Sequence, residues 1–278
     1  MKRRFFKLSS LLLLSALMLT ACSGNGANSS DVAEGEDGKK DITLVTIESS
    51  LPIMEKVSEV MENKGYTTKI NLVDLNVPVM ESVQDGSADG GLGVQIKFLE
   101  NFNEKNNGNL VIGKPYPYYT GIGLYSNKFD DLKDLPENAR ISIMHDPINM
   151  DMAMRMLRDH GVIELDENKN DLYTPMDITK NPKNIELIEV DQTQTYRMID
   201  DLDAVIAWFA TVKNAGDDAT SYIIRNLDGE NYPMGIVLRK EDENKKWAKD
   251  LAEAMHDPIV KDFVLSEYSD IYNYIEQK

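Results

Sequence analysis

After residue 40, the apolar positions along the chain alternate between the two-residue period of strands and the 3.6-residue period of helices. Residues 41–46 alternate in the period-two pattern of a strand, and residues 53–61 then place apolar side chains at helical spacing before Gly65. Further strands are predicted at 69–73, 110–112, 121–126, 140–144, 186–190, 203–207 and 234–238, with further helices at 77–83, 95–106, 145–160, from 208 onward, 244–255 and 258–267. This strand–helix order predicts an α/β fold of two lobes, with parallel sheets covered by helices.

The stretch HDPINMDMAMRML, residues 145–157, contains four methionines in one predicted helix. At about 100° per residue, one stripe holds Met150 and Met154 and is predicted to be core, where methionines fill gaps. Asp151 falls on the side predicted to face solvent, and Asn149 lies at the helix start. Because ligands of α/β folds bind at strand carboxyl ends and helix N-termini, Asn149 is a candidate helix cap or ligand contact.

The first 40 residues indicate export and membrane attachment. Positive charge at residues 2–7 precedes the uncharged apolar run 8–20, which is too short for a stable membrane span and fits a signal peptide, residues 1–21. The run ends in LTAC, which resembles the lipobox of bacterial lipoproteins. Cys22, the only cysteine, is therefore predicted to carry a lipid that anchors an exported, extracytoplasmic protein to the cell membrane. Residues 22–40 are rich in Gly, Ser, Asn and charge and are predicted to form a flexible tether.

Composition and charge argue against several classes of function. The chain has 47 acidic and 30 basic residues, and four of the basic residues lie in the predicted signal peptide, so no basic stripe is left for nucleic acid. The histidines His145, His160 and His256 show no metal-ligand spacing. Motifs of serine hydrolases, P-loop proteins and zinc proteases do not occur. We therefore predict no enzymatic activity, no cofactor and no metal.

Five short stretches occur in one characteristic order. They are GLYS at 123–126, LKDLP at 132–136, DPIN at 146–149, DITKNPKN at 177–184 and DDLDAVI at 200–206. Together they resemble the NlpA/methionine-binding lipoprotein family, the substrate-binding proteins of methionine-type ABC importers.

The resemblance implies a type II periplasmic-binding-protein-like fold with a ligand cleft between two lobes. Lobe 1 is expected to contain residues 41–119 and 236–278, and lobe 2 residues 120–235. The implied partners are a small-molecule ligand and an ABC permease with its ATPase. The protein is expected to be a monomer, tethered to the membrane by its lipid.

Several positions depart from the family pattern where the resemblance implies ligand contacts. Met152 stands where the family has an Arg that pairs with the ligand carboxylate, and Ala207 and Gly235 stand where it has Asn. A family aromatic segment retains only Phe98, and Glu48 replaces a small residue after the first strand. Because a buried carboxylate without its cation costs several kcal/mol, we expect free methionine to bind poorly.

The candidate ligand-binding positions combine the family positions with nearby aromatic and hydroxyl side chains. They are Glu48, Ser49, Ser50, Phe98, Tyr119, Asn149, Met152, Ala207, Trp208, Phe209 and Gly235. Glu48 would pair with a cationic group, and the aromatic side chains would stack against the ligand. One alternative is therefore a receptor for an aromatic or cationic heterocycle, as in the thiamine-precursor-binding branch of two-lobed receptors. The other is a surface interaction or adhesion lipoprotein that no longer binds a ligand.

Overall fold

A computed structural model describes residues 38–275 of the chain. The predicted signal peptide, the predicted lipidation site Cys22 and the predicted tether up to residue 37 lie outside the described residues. Within residues 38–275, no helix has both the length and the apolar character needed to cross a membrane.

Strands and helices alternate along most of the described chain. The helices are α1 (Leu51–Asn63), α2 (Asn76–Gln84), α3 (Ile96–Asn106), α4 (Pro147–Asp159), α5 (Phe209–Asn214), α6 (Lys246–Ala254) and α7 (Pro258–Tyr268). The strands are β1 (Asp41–Ile47), β2 (Thr67–Val73), β3 (Gly90–Leu92), β4 (Leu110–Ile112), β5 (Tyr118–Tyr119), β6 (Ile122–Tyr125), β7 (Arg140–Met144), β8 (Glu164–Leu165), β9 (Ile178–Lys180), β10 (Glu186–Val190), β11 (Ala204–Trp208), β12 (Ile224–Arg225), β13 (Pro233–Met234), β14 (Val237–Arg239) and β15 (Asn273–Tyr274).

Lobe 1 is built on a five-stranded sheet with the order β2-β1-β3-β14-β4. Strand β1 runs parallel to β2 and β3, and β14 is antiparallel to β3 and β4. The alternation of β1 directs Ile42 and Leu44 into a core with α1, α6 and α7, whereas Val45 and Ile47 enter a second core with α2 and α3. Helices therefore cover both faces of this sheet.

Lobe 2 is built on a second five-stranded sheet with the order β10-β7-β11-β6-β12. Strand β7 is parallel to β10 and β11, and β6 is antiparallel to β11 and β12. The core of this lobe takes Met150 and Met154 from α4, as their shared stripe predicts. Two five-stranded sheets, each with helices packed against it, confirm the prediction of two α/β lobes.

The prediction that Asp151 faces solvent is wrong. Its side chain is buried, because the carboxylate accepts hydrogen bonds from the Tyr173 backbone N–H at 2.8 Å and from Arg155 Nε at 2.8 Å. These donors replace water around the carboxylate, so burial of the charge is tolerated. The helical period assigned the correct direction to the methionines, but it could not show that the segment around Tyr173 covers the polar side.

A small three-stranded sheet with the order β13-β5-β15 lies where the chain crosses between the lobes. Strand β5 pairs with β13 and β15, and Tyr118 of β5 lies edge-on to the ring of Tyr272, with 4.6 Å between ring centroids. The strand predicted at 234–238 is divided at Gly235 and Ile236, because Met234 pairs with β5 whereas Val237 pairs with β3 and β4. The two halves of that segment therefore belong to different sheets.

Candidate functional site

A cavity of about 50 Å³ lies where segments of both lobes meet. Its lining comes from strand ends, helix starts and the small connecting sheet, and consists of Ile47, Ser49, Ser50, Asn76, Gly93, Gln95, Phe98, Thr120, Asn149, Gln192, Trp208, Ala210, Thr211, Met234 and Tyr272. Most of these residues lie at, or a few positions after, the carboxyl ends of strands that run parallel to a neighbour, where ligands of α/β folds bind. The cavity has room for a few water molecules or a small chemical group.

Side-chain amides form a hydrogen-bonded chain across this cavity from lobe 2 to lobe 1. Asn149 Nδ2 donates to Asp146 Oδ2 at 2.8 Å and to Gln192 Oε1 at 3.3 Å. Gln192 Nε2 then donates to Asn76 Oδ1 at 2.7 Å, and Asn76 Nδ2 donates to the Gly93 carbonyl oxygen. The bond between Gln192 and Asn76 joins the two lobes directly, so we call this chain of side chains the amide bridge.

Gln95 caps the N-terminus of α3 from within the cavity lining. Its Oε1 accepts hydrogen bonds from the backbone N–H groups of Lys97 at 2.6 Å and Phe98 at 3.2 Å. These are two of the donors that an α-helix leaves without intrahelical partners at its start. The remaining polar atom, Gln95 Nε2, is buried and has no hydrogen-bond partner among the described residues.

Aromatic and thioether side chains form the apolar part of the lining. Phe98 and Trp208 are half-buried, whereas Met234 and Tyr272 are buried. Tyr272 also contacts Tyr118 edge-on, which ties the lining to the aromatic core at the connecting sheet. A flat or elongated apolar group would fit between these side chains better than a strongly hydrated one.

The lining carries no formal charge at neutral pH. None of the lining residues is Asp, Glu, Lys, Arg or His, and burial raises the pKa of the Tyr272 phenol, which therefore stays protonated. Asp146 lies behind Asn149, and burial raises the pKa of its carboxyl while the hydrogen bonds from Asn149 oppose that rise. Among residues 38–275, no group of three His, Cys, Asp or Glu side chains is placed to hold a metal ion.

The sequence and the two-lobed architecture of the chain match those of known proteins. A sequence profile described as NlpA lipoprotein matches residues 42–273 of this chain. The chain belongs to the NlpA lipoprotein family. The methionine-binding lipoprotein MetQ of Bacillus subtilis (strain 168) is 26% identical to this NlpA lipoprotein over 275 residues, covering 96% of this chain and 97% of the relative.

Two solved structures show the same architecture. A nutrient-binding protein from Burkholderia cenocepacia bound to methionine is 26% identical, with a TM-score of 0.80 over 84% of this chain and 100% of that chain. A periplasmic substrate-binding protein of an ABC transporter from Coxiella burnetii is 25% identical, with a TM-score of 0.79 over 84% of this chain and 100% of that chain. These similarities confirm the predicted family and the two-lobed, periplasmic-binding-protein-like fold.

Five of the candidate positions of this NlpA lipoprotein lie in the cavity lining. They are Ser49, Ser50, Phe98, Asn149 and Trp208. Ser49 and Ser50 follow β1, Trp208 ends β11, and Asn149 lies in the first turn of α4. The role of these side chains in ligand binding stays a prediction, but the structure brings them to one place.

Three other candidates lie in packed cores and not in the lining. Met152 is 1% exposed within the core of lobe 2, and Ala207 is fully buried in β11. Phe209 is also fully buried, where its ring stacks on Tyr222 at 5.3 Å and the Arg225 guanidinium lies 4.9 Å from the ring centroid. The geometry therefore gives these side chains a packing role.

The last three candidates differ in their surroundings. Glu48 is exposed in the 3-10 turn after β1, and Tyr119 is half-buried in β5; neither belongs to the lining. Gly235 packs so closely that a Cβ atom there would lie 2.8 Å from Ile112 Cγ2 and 3.2 Å from Pro117 Cδ. An Asn at position 235 would therefore require these neighbours to move, which gives this departure from the family pattern a steric basis.

Sequence reasoning missed three amides of the lining, namely Asn76, Gln95 and Gln192. Gln95 lies three residues after the end of β3. Asn76 lies three residues after the end of β2, and Gln192 lies two residues after the end of β10. The signal that could have found them is their position beyond the carboxyl ends of parallel strands. Thr120, Thr211 and Tyr272 were also missed, and their place in the lining depends on tertiary packing.

Proposed function

We propose that this chain is a lipid-anchored, extracytoplasmic substrate-binding protein that delivers a small molecule to an ABC permease. Membership of the NlpA lipoprotein family supports the role of a receptor. Transport is supported because relatives are a methionine-binding lipoprotein and a substrate-binding protein of an ABC transporter. Cys22 would carry the anchor, and residues 23–40 would hold the two lobes away from the membrane surface. The chain makes or breaks no bond in this mechanism, because ATP hydrolysis belongs to the partner.

The observation that carries this proposal is a cavity lined from both lobes and bridged by side-chain hydrogen bonds. The amide bridge and a bound ligand would both stabilise the closed form, because the bridge and the full cavity lining exist only when the two lobes are in contact. A ligand that contacts both lobes shifts the population toward closure, and the closed form docks on the permease.

We further propose that the ligand is not free methionine. The carboxylate of an amino acid would enter a lining that has no Arg, Lys or His to pair with it. An uncompensated charge in such a site costs several kcal/mol, and every 1.4 kcal/mol weakens binding about tenfold. A cationic ligand meets the same obstacle, because Glu48 is exposed outside the lining and no lining residue is acidic.

The direct test is native mass spectrometry of the full-length protein, together with thermal denaturation across amino acids, vitamins and uncharged analogues. We expect a bound small molecule, and a compound at 100 times its Kd should raise the free energy of unfolding by about 2.7 kcal/mol. Strong stabilisation by L-methionine would overturn the exclusion of free methionine. A protein that carries no ligand and is stabilised by none would favour the surface interaction alternative.

A matched pair of variants separates binding from folding. Phe98→Ala removes a half-buried ring from the cavity lining, whereas Phe129→Ala removes a half-buried ring that packs against the core of lobe 2. We expect only Phe98→Ala to weaken binding of the co-purified ligand. Equal binding by both variants would remove the cavity from the proposed mechanism.

A further inference from the structure

Two buried polar atoms of the cavity lining have no hydrogen-bond partner among the described residues. They are Gln95 Nε2, which is a donor, and Asn149 Oδ1, which is an acceptor. We propose that the ligand is an uncharged amide, meaning a carboxamide, lactam or ureide, whose carbonyl oxygen accepts from Gln95 and whose N–H donates to Asn149. This inference rests on the proposed function, because it names the ligand class of the same cavity.

The orientation of the Gln95 amide is fixed by the helix that it caps. Its Oε1 accepts from the backbone N–H groups of Lys97 and Phe98, and an NH₂ group at that place could not accept either bond. The donor Nε2 is therefore the atom left for a ligand. The residue is 3% exposed, so bulk water does not take the place of a partner.

The orientation of the Asn149 amide is fixed by Asp146. Asn149 Nδ2 donates to Asp146 Oδ2 at 2.8 Å, and the Asn149 backbone N–H donates to Asp146 Oδ1 at 3.0 Å. An amide oxygen facing the Asp146 carboxylate would be repelled. The same Nδ2 also reaches Gln192 Oε1, so Asn149 Oδ1 is the acceptor that remains.

The two free atoms belong to different lobes. Gln95 precedes α3 in lobe 1, and Asn149 lies in α4 of lobe 2. A ligand that offers an acceptor to one lobe and a donor to the other satisfies both only when the lobes are closed. A buried polar group that finds no hydrogen-bond partner in the complex costs free energy. A ligand without the carbonyl oxygen or without the N–H should therefore lose more affinity than it would lose from a change of shape alone.

The rest of the lining agrees with a neutral amide. Carboxylates and ammonium groups find no opposite charge among the lining residues. Phe98, Trp208 and Met234 provide an apolar surface for the body of the ligand. A neutral molecule with one polar edge and one apolar face therefore fits the distribution of the lining better than an amino acid zwitterion.

The test compares matched fragments on the full-length protein by calorimetry and thermal denaturation. The amides are nicotinamide, 2-pyrrolidone and hydantoin; nicotinate provides the carboxylate and 3-acetylpyridine the ketone without an N–H. We expect at least one amide to bind at least tenfold more tightly than the acid and the ketone. An acid or ketone that binds as tightly as every amide overturns the inference.

The variant Gln95→Glu tests the donor separately. The new carboxylate keeps an oxygen for the Lys97 and Phe98 N–H groups but has no N–H for the ligand. Binding of the amide should fall at least tenfold at pH 8 and recover at lower pH, where a protonated carboxyl donates again. Gln84→Glu makes the same change at an exposed position outside the lining and should leave binding unchanged.

The outcomes separate this inference from the proposed function. Amide binding that survives Gln95→Glu, with the fold intact by its melting curve, refutes the assigned donor. A co-purified charged amino acid refutes the amide class while the receptor role stands. If water alone satisfies both atoms, no fragment binds and no ligand co-purifies, and the inference then fails together with the proposed function.

Discussion

The amide bridge makes a quantitative prediction about closure of the lobes. Replacing Gln192 by Ala removes the hydrogen bond to Asn76 Oδ1 at 2.7 Å, which is the bond of the bridge that crosses between the lobes. The bond that Gln192 accepts from Asn149 Nδ2 at 3.3 Å lies within lobe 2, so its loss does not change the balance between the open and closed forms. A neutral hydrogen bond contributes about 0.5–1.5 kcal/mol net. The closed form should therefore lose about 0.5–1.5 kcal/mol relative to the open form, which corresponds to about a 2- to 13-fold shift of the equilibrium.

Hydrogen–deuterium exchange of backbone amides measures this shift in the open–closed equilibrium. Peptides covering residues 93–98 and 145–152 contain lining residues of the two lobes, which opening of the lobes exposes. We expect exchange in these peptides to accelerate about 2- to 13-fold in Gln192→Ala. The apparent affinity for ligand should fall by up to the same factor, because a smaller fraction of the protein is binding-competent.

A control on the same loop decides whether the effect is specific. Gln194 is exposed, and its Nε2 donates only to the neighbouring Thr193 Oγ1 at 3.1 Å among the bonds of the described residues. In Gln194→Ala, the same two peptides should exchange at the rate of the native protein. If Gln192→Ala exchanges as the native protein does, the amide bridge does not hold the lobes together and the reasoning is refuted.

Three further predictions concern packing and charge. Met152→Ala should lower the free energy of unfolding in urea by about 2–5 kcal/mol, and Met152→Leu by less than about 1.5 kcal/mol, because this side chain fills the core of lobe 2; a loss of ligand binding without a loss of stability would contradict this. Gly235→Ala should cost about 1–3 kcal/mol, seen as a lower Tm, because its Cβ would crowd Ile112, and an unchanged Tm would contradict the close packing. Hydrogen bonds from Lys169 and Thr174 lower the pKa of Asp177 from 3.8 to about 2. Its stabilising effect is thus complete above about pH 4 and is lost as the pH falls toward 2, so the difference in Tm from Asp177→Asn should shrink over that range and not stay constant.

The sequence predicted much of the fold, for a local reason. Periodicity reports which face of an element is buried, so the period-two run at 41–46 and the helical spacing of Met150 and Met154 could be assigned without other parts of the chain. The prediction failed where a distant segment covers a polar side chain, as Tyr173 does for Asp151. It also failed where one extended segment serves two sheets, as at Gly235.

The candidate site was predicted only in part. Asn149 was found because it lies at the start of a helix, which is a local property, and Ser49 and Ser50 because they stand beside the family position at Glu48. Met152 and Ala207 were chosen from the family pattern, but the structure surrounds them with core side chains. A family position indicates where a ligand contact occurs in relatives, whereas the packing around a different side chain decides where that side chain goes.

The sequence alone thus determined the order and type of the longer elements and the family of this protein, and it predicts an export signal. Only the tertiary structure decided which side chains meet in the cavity. Gln192 and Asn76 are 116 positions apart, and their hydrogen bond exists because the two lobes bring the carboxyl ends of β10 and β2 together. No local sequence pattern predicts that these two side chains meet, because their separation in space depends on the packing of all the elements between them.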